Sequence, residues 1–314
     1  MRKIKSEFPT GSLFKFIMTI TAFFWLFASI ILSSYLTLVF SYLGKTKADI
    51  FQVIVINYFV CVLTGSIANG SFPDPVSVIT QRGGWGPIAM GIGFIAIFNV
   101  MAITTQRISV AVSAVSNKLS FIIPVFLSVI IFHESLHLIQ WIGMLIALVA
   151  VAFTCYPSGN NESFRSLLNF LFLPLLLFVG SGLLDTLMNF LQHHFINEQN
   201  RHDYLISGFA VAGCIGLSIA LAGYYNGSRN WNKINLVAGI ALGIPNYFSI
   251  HCLVTFLSLA GKSSSAGIAI NNIGIVLFSA LLAWILFRQT LSKLNIIGIL
   301  LAMIAIGMIS IKSV

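Results

Sequence analysis

Residues 109–152 of this chain recur without a gap as residues 264–307, and that duplication limits the possible folds more than any other feature. The first copy reads SVAVSAVSNKLSFIIPVFLSVIIFHESLHLIQWIGMLIALVAVA, and 13 of its 44 positions are identical in the second. Asn117 matches Asn272, Phe132 matches Phe287, Leu136 matches Leu291 and Gly143 matches Gly298, each pair 155 residues apart. Apolar helices share Ala and Leu by composition alone. The matched Asn and Gly and the paired turns Phe-His-Glu-Ser-Leu and Phe-Arg-Gln-Thr-Leu are harder to dismiss. A repeat of this kind governs the whole reading of a fold.

Both copies are too apolar for water. Charged residues make up 8% of the 314, hydrophobic residues 58%, and mean hydropathy is +0.96. A soluble domain carries about 25% charge, so the composition predicts an integral membrane protein. The net charge of +9 comes from basic residues scattered singly through loops, which suits membrane edges and gives no nucleic-acid surface. The four cysteines (Cys61, Cys155, Cys214, Cys252) fall in or beside apolar runs without CxxC spacing, and read as packing residues. The first apolar run is too long for a signal peptide and long enough to span.

At about 20 apolar residues per crossing, ten spans emerge. They fall at about 16–42, 50–68, 86–105, 109–132, 137–156, 168–193, 203–225, 234–258, 264–287 and 293–312. The junction between spans three and four is the tightest, with Gln106, Arg107 and Ile108 alone between two helices. Trp85, Trp141, Trp231 and Trp284 sit near predicted ends, as an interfacial belt requires. An offset of 155 residues contains five spans, an odd number, so equivalent helices cross in opposite directions. The expected fold is all-α: ten transmembrane helices in two inverted-topology repeats, residues 1–156 and 157–314. Secondary transporters use this architecture and place substrate near the midplane. Lys and Arg are nearly balanced between the two sides; the basic tail (Arg2, Lys3, Lys5, Lys15) tips the choice toward both termini inside.

The pattern Asn117-Lys118-Leu119-Ser120, then Pro124, then Phe132-His133-Glu134-Ser135-Leu136 and Gly143, resembles the EamA-like branch of the drug/metabolite transporter superfamily. The second copy is similar through Asn271-Asn272, Phe287, Leu291 and Gly298. The resemblance implies ten helices, cytoplasmic termini, a bacterial inner-membrane location and a central cavity lined largely by spans one, three, four, six, eight and nine. It implies export of small metabolites, amino acids or drugs, with no cofactor. The chain departs at Gln289, where the family's second half usually keeps a Glu.

Lys118 lies about nine residues into span four, roughly 14 Å deep at 1.5 Å per residue. An intramembrane charge costs at least about 2.5–3.5 kcal/mol and marks a functional site by default; a structural ion pair, or capping of carbonyls freed by Pro124, is the bland alternative. Pro124 is expected to leave the Ser120 carbonyl unpaired. Asp185 is the acid deepest in any apolar run, in GSGLLDTLMNF. It suits a coupling proton, a cationic substrate group or a pair with Lys118. Asn117, Asn271 and Asn272 suggest polar walls on spans four and nine, with interhelical hydrogen bonding the competing role. Pro245, beside Asn246, is expected to break span eight at mid-membrane, and His251 follows one and a half turns on as a relay candidate or a packing residue. Asn57, Asn99 and Trp25 are further lining candidates. Glu134 reads as a structural or gating residue, and Ser135 and Thr290 as N-caps of spans five and ten.

His194, Glu198 and His202 would stand at i, i+4 and i+8 if residues 193–203 were helical. A membrane-embedded metal enzyme would begin there, although the stretch reads as the loop between spans six and seven. No nucleophile-base constellation, phosphate loop or nucleotide fold accompanies it, so the expectation is not an enzyme. A non-transporting receptor or scaffold would leave the repeat unexplained. The expected protein is a secondary transporter of small metabolites, working by alternating access with protons as the coupling ion. Lys118 and Asp185 together would suit an amino-acid-like zwitterion.

Overall fold

Asp49 begins the first well-capped helix by accepting hydrogen bonds from the backbone N–H groups of Phe51 (3.0 Å) and Gln52 (3.3 Å). Gly70, at φ 71°, ends that helix by donating its N–H to the Ile67 carbonyl. Between such punctuation marks the apolar runs become helices, since in lipid every backbone group must be satisfied within its own segment. The computed structural model describes residues 10–73, 78, 80–81, 83–132, 136–156, 164–196, 200–227, 232–260, 264–289 and 291–311.

Among these residues the helices are α1 (Thr10–Leu43), α2 (Ile50–Asn69), α3 (Trp85–Arg107), α4 (Val110–Leu119), α5 (Ile122–Phe132), α6 (Leu138–Thr154), α7 (Phe164–His194), α8 (Arg201–Tyr225), α9 (Lys233–Ala260), α10 (Ser264–Phe287) and α11 (Lys293–Ile309). Eight stretches are long and apolar enough to cross a membrane, and α6 and α11 are shorter apolar helices of 17 residues. The protein is a multi-pass, helical integral membrane protein.

The tight junction after span three is a true helix boundary. Ile108 leaves helical geometry (φ −116°, ψ −82°), and the Ser109 hydroxyl accepts the Val112 N–H at 3.1 Å to cap α4. Three differences from expectation stand out. Span four is two helices, α4 and α5, interrupted at Ser120 and Phe121. The Ser120 carbonyl is not free, because the Ile123 N–H donates to it at 2.9 Å in the turn that joins them. Span eight is continuous, since Pro245 lies inside unbroken α9.

The helices after the repeated turns begin at Leu138 and Lys293, each three residues beyond Ser135 and Thr290, which lie outside the described residues, as do Glu134 and Trp231. His137 and Ser292 occupy the cap positions. The side-chain oxygens of Gln140 and Asn295 accept their backbone N–H groups at 2.9 and 3.0 Å.

Helix α6 lies against α11, and the contacts are reciprocal. A β-carbon at Gly143 would stand 3.3 Å from the Ala305 carbonyl oxygen, and one at Gly298 would stand 2.9 Å from that of Ala150. Gln140 donates to the Ile309 carbonyl at 3.1 Å, and Asn295 donates to the Thr154 carbonyl at 2.8 Å. Each contact maps onto the other at an offset of 155 residues. Small residues let the two helices approach, and packing with interhelical hydrogen bonds holds them.

This pair and α4, α5, α7 and α10 enclose one core, including Val115, Leu119, Ala147, Phe178, Val276 and Ala302. A second core, around Phe40, Ile54, Tyr58, Phe209 and Leu242, joins α1, α2, α3, α8 and α9. Helix α9 packs on α1 and α2, α3 on α7 and α8, and α2 on α8; α10 packs on α1 and α4.

Candidate functional site

Leu119 ends α4 in the middle of an apolar 18-residue stretch, Val110–Leu127. Two features of the sequence account for the break. Pro124 has no N–H to donate back to Ser120 and its ring crowds the preceding turn. The Ser120 hydroxyl donates to the Asn117 carbonyl, a local bond that competes with helix continuation. The result is a joint with Lys118 in the last turn of α4 and Ser120 in the turn itself.

Helix α7 seals one side of this joint. A β-carbon at Gly182 would lie 2.7 Å from the Ser120 carbonyl oxygen and 2.5 Å from Ile123, so only glycine lets α7 come this close. One turn further on is Asp185. Its carboxylate lies near the Ser120 side chain and within electrostatic range of Lys118. The two opposite charges that the sequence left separate lie within electrostatic range of one another across the α4–α7 contact.

Asp185 keeps an exposed side chain. The outward stripe of α7 is Phe172, Leu175, Leu176, Val179 and Leu183, each 39–61% exposed. At 100° per residue, Asp185 points roughly 140° away from that stripe. Its exposed surface therefore faces away from that stripe, toward the side of α7 that packs on the joint. Lys118 and Asn117, both half-buried, belong to the same wall, and the Asn117 amide donates to the Met101 sulfur of α3 at 3.4 Å.

The other predicted residues lie elsewhere. Asn271 and Asn272, on unbroken α10, are 2% and 8% exposed, and among the described residues the Asn271 amide oxygen has no hydrogen-bond partner. Asn246 donates to Asn57 at 3.1 Å across the α2–α9 contact, both side chains being buried. His251 stacks on Tyr247 (centroids 6.0 Å) and meets Trp25 edge-on at 6.1 Å. Asn99 donates to its own helix, at the Ile95 carbonyl (2.7 Å). Pro124 sits in α5 just past the joint, and Pro245 in the α2–α9 contact region.

Residues 193–203 are not one helix. Helix α7 ends at His194 and α8 begins at Arg201, so His194 and His202 stand on different helices; Glu198 lies outside the described residues. His194 stacks on Phe190 at 4.3 Å and hydrogen-bonds its carbonyl at 2.9 Å. Among the described residues no three His, Cys, Asp or Glu side chains gather as a metal ion would need.

Sequence reasoning missed two groups. Ser181 precedes Asp185 by one turn on α7, a spacing visible in GSGLLD. Gln289, noted only as a departure from a family pattern, accepts the Val110 N–H at 3.3 Å and so caps α4 from the end of α10.

No family model matches the chain. A protein of Haemophilus influenzae, described only as an uncharacterized protein, is 24% identical over 229 residues, covering 70% of this chain and 72% of its own. A solved structure titled as the crystal structure of a protein superposes with a TM-score of 0.59 over 91% of this chain and 94% of its own. Its sequence identity is 18%, a likeness of fold alone.

Proposed function

We propose that this protein is a secondary transporter of small metabolites, built as ten spans in two inverted five-helix repeats, with its substrate site at the joint between α4 and α5. The observation that carries the reading is the interrupted span itself. A helix broken inside the apolar slab, with Lys118, Ser120 and Asp185 gathered at the break and an inward-facing exposed carboxylate, is the arrangement in which transporters hold polar cargo. Charge inside the membrane is costly and is tolerated where it faces the protein interior or a water-filled path.

The repeat supports the same reading. The reciprocal α6–α11 contacts run antiparallel, as a two-fold axis in the membrane plane requires. Exchanging α1 with α7, α2 with α8, α3 with α9, α4–α5 with α10 and α6 with α11 maps the packing pairs onto one another. The α1–α9 pair becomes α7–α3, and α2–α9 becomes α8–α3. Such symmetry lets one half rock against the other about a fixed site. The repeated residues also support the EamA-like reading of both halves, with termini in the cytoplasm of a bacterial cell, protons as coupling ion and a small zwitterion as cargo.

The test is uptake of a mixed metabolite panel into proteoliposomes, with and without a pH gradient. At least one compound is expected to move with wild-type protein and to stop with Lys118→Ala. If no compound moves under any gradient, transport is excluded. If Lys118→Ala moves every compound at the wild-type rate, the joint is not the site.

A further inference from the structure

Beyond the joint, the inner face of α7 is uncovered. On one flank α7 meets α3, where a β-carbon at Gly180 would strike Ile97 and one at Gly93 would lie 2.7 Å from Leu184. On the other flank Gly182 meets the joint at Ser120 and Ile123. The apolar stripe of Phe172, Leu175, Leu176, Val179 and Leu183 occupies the lipid side between those two contacts. At 100° per residue, Asp185, Asn189 and Gln192 point about 140°, 100° and 160° from the middle of that stripe, toward the interior of the bundle. All three are exposed, whereas Ser181, one turn before Asp185 on the same side, is 5% exposed. Polar side chains left open on the side of a helix away from lipid face water within the bundle.

The other copy of the repeat offers a comparison, because α1 meets it where α7 meets the first. A β-carbon at Gly182 would lie 2.7 Å from the Ser120 carbonyl oxygen, and the Ser34 hydroxyl donates to the carbonyl of Ile275, the equivalent residue, at 3.4 Å. Three and seven residues further along, α7 carries Asp185 and Asn189, and α1 carries Thr37 and Ser41. On α1 this stripe is covered: Ser34, Thr37 and Ser41 are 0%, 1% and 7% exposed, and Thr37 lies 3.5 Å from Ser279. The two stripes lead to opposite ends of the bundle. Helix α7 runs antiparallel to α3, with Leu191 at Gly86 and Leu184 at Gly93. Helix α1 finishes beside the end of α3, where Gln106 donates to the Phe40 carbonyl at 3.1 Å. That end is sealed by Leu38, Val110, Ala283 and Phe287, with the Lys45 ammonium 4.9 Å from the centre of the Phe287 ring.

We propose that Asp185, Asn189 and Gln192 line a water-filled path from the joint to the end of α7, and that Ser34, Thr37 and Ser41 line its counterpart toward the end of α1, shut in this structure by the seal at Phe287. Carboxylate, amide and hydroxyl groups line the two, so the solute they pass is small and hydrogen-bonding rather than hydrocarbon-like. Use of the path by cargo rests on the reading of the joint given above; its water does not, and is measured without transport.

Single cysteines are placed in Cys214→Ser protein, whose remaining cysteines are buried. The purified protein in detergent is treated with a charged, water-soluble methanethiosulfonate, and modification is followed by intact mass. Asn189→Cys lies about 7.5 Å inside the end of α7. It is expected to react about tenfold or more faster than Leu183→Cys on the lipid stripe, with Ser41→Cys as slow as Leu183→Cys. Phe287→Ala, which opens the seal, is expected to speed the reaction of Ser41→Cys about tenfold. Lys45→Ala serves if Phe287→Ala is not monodisperse. Asn189→Cys reacting no faster than Leu183→Cys overturns the path, and Ser41→Cys unmoved by a folded seal variant overturns its counterpart. A reactive Asn189→Cys without flux in proteoliposomes would keep the path while removing the transport reading. Flux with an unreactive Asn189→Cys would keep that reading while removing the path.

Discussion

The two copies of the repeat share a register and little else at their centres. In the first, the chain stops being helical at Ser120, two residues after Lys118 and four before Pro124. In the second, Ile273, Ile275 and Ser279 occupy those places, and α10 runs unbroken from Ser264 to Phe287. Ile275 is buried, its carbonyl accepts the Ser34 hydroxyl of α1 at 3.4 Å, and Ser279 meets Thr37 at 3.5 Å. The same apolar frame thus serves once as a packed wall and once as a charged joint. A handful of polar substitutions, with one proline, separates the two.

The largest expected effect comes from writing the joint's proline into the wall. Ser279→Pro removes a helical hydrogen bond and crowds the Ile275 carbonyl, and should destabilise the protein by about 3 kcal/mol or more in chemical unfolding. Pro124→Ala, at the equivalent place, should change stability by under about 1 kcal/mol, because the joint is also held by Ser120 and Gly182. Equal costs at both sites would mean that the break in span four is not a tolerated feature of the native fold.

Asp185→Asn should come next, lowering flux in proteoliposomes about a hundredfold or more, equivalent to about 2.7 kcal/mol. Retention of the wild-type rate would detach the joint from function. Third, Gly182→Ala should lower stability by about 1–3 kcal/mol, since its methyl group meets the Ser120 carbonyl and Ile123. Gly274→Ala in α10 meets the side chain of Ile30, which can turn aside, and should cost less. The smallest effect belongs to Gln289→Glu, which places a full negative charge at the N-terminus of α4 and should stabilise the protein by about 0.3–1 kcal/mol at low salt.

Much of the frame was legible in the residues. Runs of about 20 apolar residues identify helices because lipid leaves the backbone no other solution, and the structure places the helix ends within a few residues of those runs. The short link after Arg107 was ambiguous by hydropathy and is resolved by the Ser109 cap. The prolines misled, because a missing N–H says that one hydrogen bond is lost but not whether the helix gives way. Pro245 sits in α9 with that helix intact, whereas at Pro124 the nearby Ser120 hydroxyl and the close approach of Gly182 favour interruption. Lys118 and Asp185 stood out as charges in apolar runs, yet their adjacency depends on α7 packing against α4. Ser181 carried no signal of its own, since a lone serine in a membrane helix most often bonds its own backbone, as Ser218 and Thr186 do here.

The most direct measurement is flux through proteoliposomes carrying Lys118→Ile, which writes the second copy's residue into the first, beside Ser279→Ala as the matched change in the wall. With both variants monodisperse, Lys118→Ile should fall to the rate of protein-free vesicles and Ser279→Ala should stay within about twofold of wild type. Wild-type flux in Lys118→Ile, or an equal loss in both variants, would contradict the assignment of function to the broken copy.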